Sequence, residues 1–249
     1  MPIYISIPAL FLVGVLSGFM NVMAGGGSTL TLPLLIFLGL GASTANGTNR
    51  VAIVVQSVAA VYSFKREEQQ AFRQSLVLSL FGLPGAVAGA VFAVEINNEL
   101  FEKILGAVLI GVIVTMLLPA ARERTGADQR ERITWQACAS MLFIGFYGGF
   151  IQVGVGFLLM ASLRGFMRLS LQRVNMHKVF IVLIYTIPAL FIFAWTGNVD
   201  WGLGLSLAAG SAAGAWWAAK SSVRKGERVI RAFLVLAVLI MALKLLDVF

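Results

Sequence analysis

Three consecutive glycines, Gly25, Gly26 and Gly27, interrupt an apolar stretch near the start of the chain. Glycine weakens a helix interior, so we expect the helix to break here. The apolar run at residues 30–40 would be about 16 Å long as a helix, about half the thickness of a bilayer core. A helix that restarts at such a break points free N–H groups and its positive dipole end toward the break, which favours an anion.

A second interruption occurs in the C-terminal half, at Gly154 and Gly156. Only residues 157–163 separate it from Arg164, and so short a run cannot cross a membrane as a helix. Non-helical backbone is tolerated at membrane depth where it is buried in protein or lines a cavity. The two interruptions therefore predict discontinuous or re-entrant helices; the alternative is that the glycines only allow close packing or a kink.

Neutral polar residues accompany both interruptions. Asn21 and Ser28 flank the first, and Gln152 precedes the second. Polar side chains at membrane depth face a pathway or a partner helix. We therefore expect these three side chains, with the glycine backbone, to contribute to a substrate-binding site.

A further polar cluster, Thr48, Asn49 and Arg50, opens an apolar helix, and Asn175 and His177 hold the corresponding place in the C-terminal half. Arginine presents a planar fork of donors that suits a carboxylate, a sulfonate or a sulfite-like oxyanion. We expect Arg50 to compensate the charge of a bound anion, with the other four residues beside it.

Simpler roles compete with this interpretation. Thr48 and Asn49 are also good helix caps, and the alternative for Arg50 is an interfacial cation whose head group reaches water. Arg173 and Lys178 either line the site or belong to a cytoplasmic basic loop.

Acidic residues are nearly absent from the apolar runs, and Glu95, Asp200 and Asp247 lie near helix ends. Cation pathways commonly use Asp or Glu at depth, and hard metal ions need several oxygen ligands. The sequence therefore favours an anion as cargo and predicts no metal and no cofactor. Histidine can change charge near neutral pH, so His177 is a candidate for coupling a proton, with a cap or packing role as the alternative.

Transmembrane helices must position these residues. Hydrophobic residues make up 59% of the chain and charged residues 12%, and the first charged side chain is Arg50. In lipid, long charge-free runs must be helices, because backbone groups find no water there. The predicted fold is all-α and polytopic, with charge-free runs at residues 74–94, 104–121, 133–163, 179–199 and 201–219.

The net charge of +8 reflects orientation rather than nucleic-acid binding, since the basic residues fall in short segments between apolar runs. Sixteen of the nineteen Lys and Arg residues lie in segments 65–73, 122–132, 164–178 and 220–231. The positive-inside rule places these segments in the cytoplasm and both termini outside. Without a basic leader or a clear cleavage site, the first helix is expected to be retained.

The two halves of the chain match each other in order. The matched segments are residues 14–21 with 145–152, residues 48–50 with 175–177, and residues 85–90 with 210–215. Together with the charge pattern, these matches predict two inverted repeats, 1–121 and 133–249, joined by a cytoplasmic linker at 122–132. The pairs Gly85/Gly89 and Gly210/Gly214 form small-xxx-small faces, which we expect to pack helices closely.

Several of these features resemble the sulfite exporter TauE/SafE family of bacterial anion transporters. The resemblance is carried by the run from Gly18 to Ser28, by Pro33, by the segment from Ala45 to Thr48 that opens a helix, and by the weaker second copy. It covers essentially the whole chain. It implies a multi-pass protein of the bacterial inner membrane that moves sulfite, sulfoacetate or related organosulfur anions, often outward.

The sequence thus predicts a secondary transporter that exports a small anion by alternating access, with the anion bound between the repeats. Its expected partners are the anionic substrate, the lipid bilayer and a coupling proton, and not nucleic acid. The alternative is an anion channel. A non-transporting scaffold and an intramembrane enzyme are weaker alternatives, because the apolar runs hold no nucleophile with its base and no paired carboxylates.

Overall fold

The computed structural model describes residues 3–23, 25–64, 69–117 and 132–220, together with residues 239, 242 and 243. These residues form α-helices and no strands, as the sequence predicts. The helices are α1 (Ile3–Met23), α2 (Ser28–Phe37), α3 (Ala42–Phe64), α4 (Gln69–Glu95), α5 (Asn98–Leu117), α6 (Trp135–Phe150), α7 (Val155–Met167), α8 (Leu171–Trp195) and α9 (Trp201–Lys220). Residues 122–131 of the predicted linker lie outside the described residues.

Among the described residues, two helices are long and apolar enough to cross a membrane, Phe72–Glu95 within α4 and Gln172–Trp195 within α8. Large apolar side chains point away from the protein on several helices: Leu12, Phe143 and Trp195 are exposed to 64%, 74% and 81%. An apolar surface of this kind would aggregate in water and is suited to lipid.

One predicted boundary is wrong. Residues 164–178 were expected as a basic cytoplasmic segment, but α7 continues to Met167 and α8 already begins at Leu171. The Ser170 side chain caps α8 by accepting a hydrogen bond from the backbone N–H of Arg173. The charged residues of this segment therefore bound the apolar runs but do not coincide with the helix ends. Lys178 lies within α8.

The main helix contacts join the two halves of the chain. Helix α1 packs against α9 and α6 against α4, while α3 contacts both α8 and α9, and α4 contacts α8. The short helices α2 and α7 lie beside their neighbours α3 and α8. Helices α3 and α8, the third helix of each half, therefore each contact helices of both halves.

Glycines allow two of these helix pairs to approach closely, which confirms the predicted packing role of the small-xxx-small faces. A Cβ added to Gly85 or Gly89 would collide with carbonyls of α6, and one added to Gly210 or Gly214 would collide with carbonyls of α1. Backbone approach this close is typical of membrane helix pairs joined by small residues.

Gly85→Ala should lower stability because the new Cβ would collide with the Leu142 carbonyl oxygen. A backbone atom cannot change rotamer to relieve the collision as a side chain can. We expect a loss of about 1–3 kcal/mol, typical of overpacking, measured as a lower thermal unfolding midpoint in detergent. Gly111→Ala in α5 is the matched control, because a Cβ there meets nothing within 4 Å. Equal midpoints for the two variants would contradict the close packing of α4 on α6.

Candidate functional site

Both glycine interruptions separate helices where the sequence predicts a break. Helix α1 ends at Met23 and α2 begins at Ser28, while α6 ends at Phe150 and α7 begins at Val155. Gly25 and Gly154 adopt left-handed backbone conformations, with φ of +83° and +70°. Gln152 does so as well, at φ 61°. Residues other than glycine rarely adopt this conformation, and strain of this kind clusters at functional sites.

The two interruptions touch each other. A Cβ added to Gly25 would lie 2.5 Å from the Cα of Gly156, and one added to Gly156 would lie 2.6 Å from the carbonyl oxygen of Gly25. Gly26 lies against the ring of Phe157, and Gly27 against Ser17 and Asn21. The starts of α2 and α7, one from each half, therefore meet at a single junction, which we call the glycine junction (residues 25–28 and 152–156).

Arg50 lies inside the protein and not at its surface. It is the ninth residue of α3, about 12 Å along the helix from Ala42 at the usual rise, and its side chain is 0% exposed. The alternative that Arg50 is an interfacial cation reaching water is therefore wrong. Its guanidinium lies over the ring of Phe193, 4.8 Å from the ring centroid.

Side chains of α3 hold the end of α6 in the other half. The terminal nitrogens of Arg50 donate to the carbonyls of Gly148 (3.1 Å) and Gly149 (2.5 Å), and Asn46 Nδ2 donates to the carbonyl of Phe150 (2.6 Å). The last carbonyls of a helix have no partner within it and carry the negative end of its dipole. A cation and an amide from α3 therefore cap α6.

Lys178 makes the corresponding contact in the opposite direction. Its side chain is 2% exposed, and Nζ donates to the carbonyl of Val22 near the end of α1 and to Asn175 Oδ1, both at 2.9 Å. Within the described residues, neither Lys178 nor Arg50 contacts a carboxylate. Two buried cations thus lie between the halves with carbonyl and amide partners and no counter-charge.

The other predicted site residues take different partners. Asn49 Oδ1 accepts from Thr31 Oγ1 at 2.6 Å, and Gln152 Oε1 accepts from the Tyr185 hydroxyl at 3.2 Å. Ser28 is buried at the start of α2, and Asn21 is half-buried. These residues connect α2 to α3 and the glycine junction to α8.

Thr48 and His177 face neighbouring helices. Thr48 Oγ1 accepts from the backbone N–H of Asp200 at 2.8 Å, which positions the start of α9. His177 Nδ1 lies 2.7 Å from Ser75 Oγ of α4. The C-terminal residue that reaches the first helix of the other half, as Arg50 does, is therefore Lys178 and not His177.

Three participants were not in the predicted site. Asn46 caps α6 together with Arg50, Phe193 stacks on the guanidinium, and Tyr185 binds Gln152. The signal for Asn46 was present, because residues four apart share a helix face. The aromatic residues carried no such signal among the many apolar positions of α8.

Comparisons with known proteins find a transporter family profile and several probable membrane transporters. A family profile described as "Sulfite exporter TauE/SafE" matches residues 10–245. The chain is similar to "Probable membrane transporter protein ORF9" of Sinorhizobium sp, with 27% identity over 95% of this chain and 91% of the relative. It is also similar to "Probable membrane transporter protein YfcA" of Escherichia coli K12, with 26% identity over 95% of this chain and 88% of the relative. A "Probable membrane transporter protein" of Haemophilus influenzae is 24% identical over 95% of this chain and 92% of the relative. No solved structure is a significant match.

Proposed function

The chain belongs to the sulfite exporter TauE/SafE family, a family of membrane transporters rather than enzymes, and we propose that it exports a small oxyanion by alternating access. The proposed cargo is sulfite, sulfoacetate or a related organosulfonate, bound between the two halves at the glycine junction. The proposed location is the bacterial inner membrane with both termini outside, as the basic segments favour.

The observation that carries this proposal is a pair of buried basic side chains that contact no carboxylate among the described residues. Arg50 and Lys178 are 0% and 2% exposed, and carbonyls and an amide are their polar partners. Removing a charge from water costs several kcal/mol even after relaxation. An anion bound between them would supply the missing negative charge, which is a reason for such cations to persist in an apolar protein.

The glycine junction adds a second attraction for an anion. Helices α2 and α7 both begin there, and their positive dipole ends point toward it. Discontinuous helices whose N-termini point at an anionic group are a recurring device of secondary transporters. The described residues also hold no carboxylate within this region, so the local field favours anions over cations.

The pattern of helix contacts supports two structurally related halves. The pairing of α1 with α9 has its counterpart in α6 with α4, and that of α3 with α9 has its counterpart in α8 with α4. Buried cations from the third helix of each half reach the first helix of the other half. In inverted repeats of this kind, movement of one half against the other exposes a central site to each side in turn.

Transport assays on the purified protein in liposomes test the proposal. We expect saturable uptake of sulfite and sulfoacetate and at least about tenfold slower uptake of a simple carboxylate such as acetate, a discrimination of about 1.4 kcal/mol. Sulfate is the oxyanion control, and a pH gradient tests proton coupling. Flux that does not saturate would favour a channel, and no flux of any anion would contradict transport.

A further inference from the structure

Helix α3 presents three buried polar atoms that have no hydrogen-bond partner in the part of the chain that the structure describes. They are Asn46 Oδ1, Asn49 Nδ2 and Arg50 Nε, on side chains that are 0–1% exposed. Residues separated by three and four positions lie on one face of a helix. A buried polar group without a partner is destabilising, and such groups are rare enough in native structures that three on one helix face indicate a ligand site.

The contacts of each side chain show which of its atoms remain available. Asn46 Nδ2 donates to the Phe150 carbonyl at 2.6 Å, and because a carbonyl only accepts, the free end of this amide must be the oxygen. Asn49 uses its oxygen to accept from Thr31 Oγ1, which leaves its NH₂ group. Each terminal nitrogen of Arg50 donates to a carbonyl, and Nε is the Arg50 nitrogen that has no partner among the described residues. The face therefore offers two donors and one acceptor.

We propose that this face binds a small oxyanion that also carries a hydrogen-bond donor. Oxygens of the anion accept from Asn49 Nδ2 and Arg50 Nε, and an O–H or N–H group of the same ligand donates to Asn46 Oδ1. This inference depends on the proposed function and narrows its substrate class: sulfoacetate with both acid groups ionised has no hydrogen-bond donor, so it should be taken up less efficiently than sulfite. Two kinds of anion have this chemistry, a singly protonated inorganic oxyanion and a sulfonate with a hydroxyl or amino group.

An anion without a donor would fit this face poorly. Its oxygen would have to face Asn46 Oδ1, which places two acceptors against each other inside the protein and leaves the amide oxygen unpaired. A site built to hydrogen-bond a hydroxyl group rejects the analogue that lacks it far more strongly than an apolar pocket rejects a missing methylene.

Two sulfonates that differ by one hydroxyl group test the inference. The full chain in liposomes should take up 2-hydroxyethanesulfonate at least about tenfold more efficiently than ethanesulfonate, a difference of about 1.4 kcal/mol, because ethanesulfonate leaves the buried Asn46 oxygen unpaired. The parallel arm uses sulfite at several pH values. Its uptake should follow the concentration of the singly protonated form, while uptake of methanesulfonate, which has no such form, should not change in parallel.

In Asn46→Leu the acceptor is absent. We therefore expect this variant to take up 2-hydroxyethanesulfonate and ethanesulfonate with efficiencies that differ by no more than about twofold. Asn97→Leu is the control, since the Asn97 amide caps the start of α5 and is not part of the site. The ratio is measured within each variant, so a lower yield of folded protein does not change it.

The outcomes separate this inference from the proposed function. If the parent protein takes up neither sulfonate nor sulfite, both fail. Equal uptake of the two sulfonates, with sulfite uptake independent of protonation, overturns the inference and leaves anion transport standing. A ratio that survives Asn46→Leu overturns the role of Asn46 Oδ1 as the acceptor.

Discussion

Arg50→Met should reduce sulfite uptake by about 30- to 150-fold, equivalent to about 2–3 kcal/mol for the loss of a charged hydrogen-bonding partner. Methionine fills much of the same volume but carries no charge and no N–H group. It removes the Nε–H donor proposed for the anion and the charge that attracts it. Uptake into liposomes, normalised to the amount of folded protein, is the measurement.

Stability should change much less than transport in this variant. Methionine leaves the Gly148 and Gly149 carbonyls without their partner, which destabilises the end of α6. It also removes a buried charge that no carboxylate compensates, and replacement of buried ionic groups by apolar ones is often neutral or stabilising. The two effects oppose each other, so we expect a thermal unfolding midpoint close to that of the parent.

Arg50→Lys distinguishes charge from geometry. Lysine keeps the positive charge and has three N–H groups, but its single nitrogen cannot place them at the separate positions of the three guanidinium nitrogens. We expect uptake about tenfold below the parent, the cost of one hydrogen bond. Lys103→Met is the control, because Lys103 is exposed and pairs with Glu99 in α5. If either Arg50 variant takes up sulfite at the parental rate, Arg50 does not take part in binding the anion.

The positions of the helix breaks could be predicted because they depend on local chemistry. The triplet from Gly25 to Gly27 and the pair Gly154 and Gly156 lie in the sequence where α1 and α6 end and α2 and α7 begin. The close approach at Gly85 and Gly210 was predictable for the same reason, since the absence of a side chain is visible in the sequence.

The partners of the polar residues could not be predicted, because they depend on how distant helices meet. Arg50 contacts carbonyls 98 and 99 positions away, and Lys178 contacts one 156 positions away. Backbone carbonyls are present at every position and give no signal in a sequence. The sequence also left open whether Lys178 lines the site or belongs to a basic loop, since a charge count cannot tell a buried basic residue from one near the membrane surface.

Gly156→Ala should abolish transport, because the added Cβ would lie against the backbone of Gly25, where no side chain can turn aside. The two helix starts would have to separate, and the N–H groups of α2 and α7 that we propose to bind the anion would no longer lie together. We expect at least about a hundredfold loss of uptake, as misplacement by about 1 Å can cause in a preorganised site. The free energy of unfolding should fall by about 1–3 kcal/mol from overpacking.

Gly165→Ala is the matched control in the same helix, because a Cβ there meets nothing within 4 Å. It should leave uptake within about twofold of the parent, and alanine in place of a helical glycine adds up to about 1 kcal/mol of stability. Uptake per folded molecule decides the role of the junction. If Gly156→Ala lowers stability but the folded fraction still transports sulfite at the parental rate, the contact between Gly25 and Gly156 is only a packing contact, and the anion must bind elsewhere.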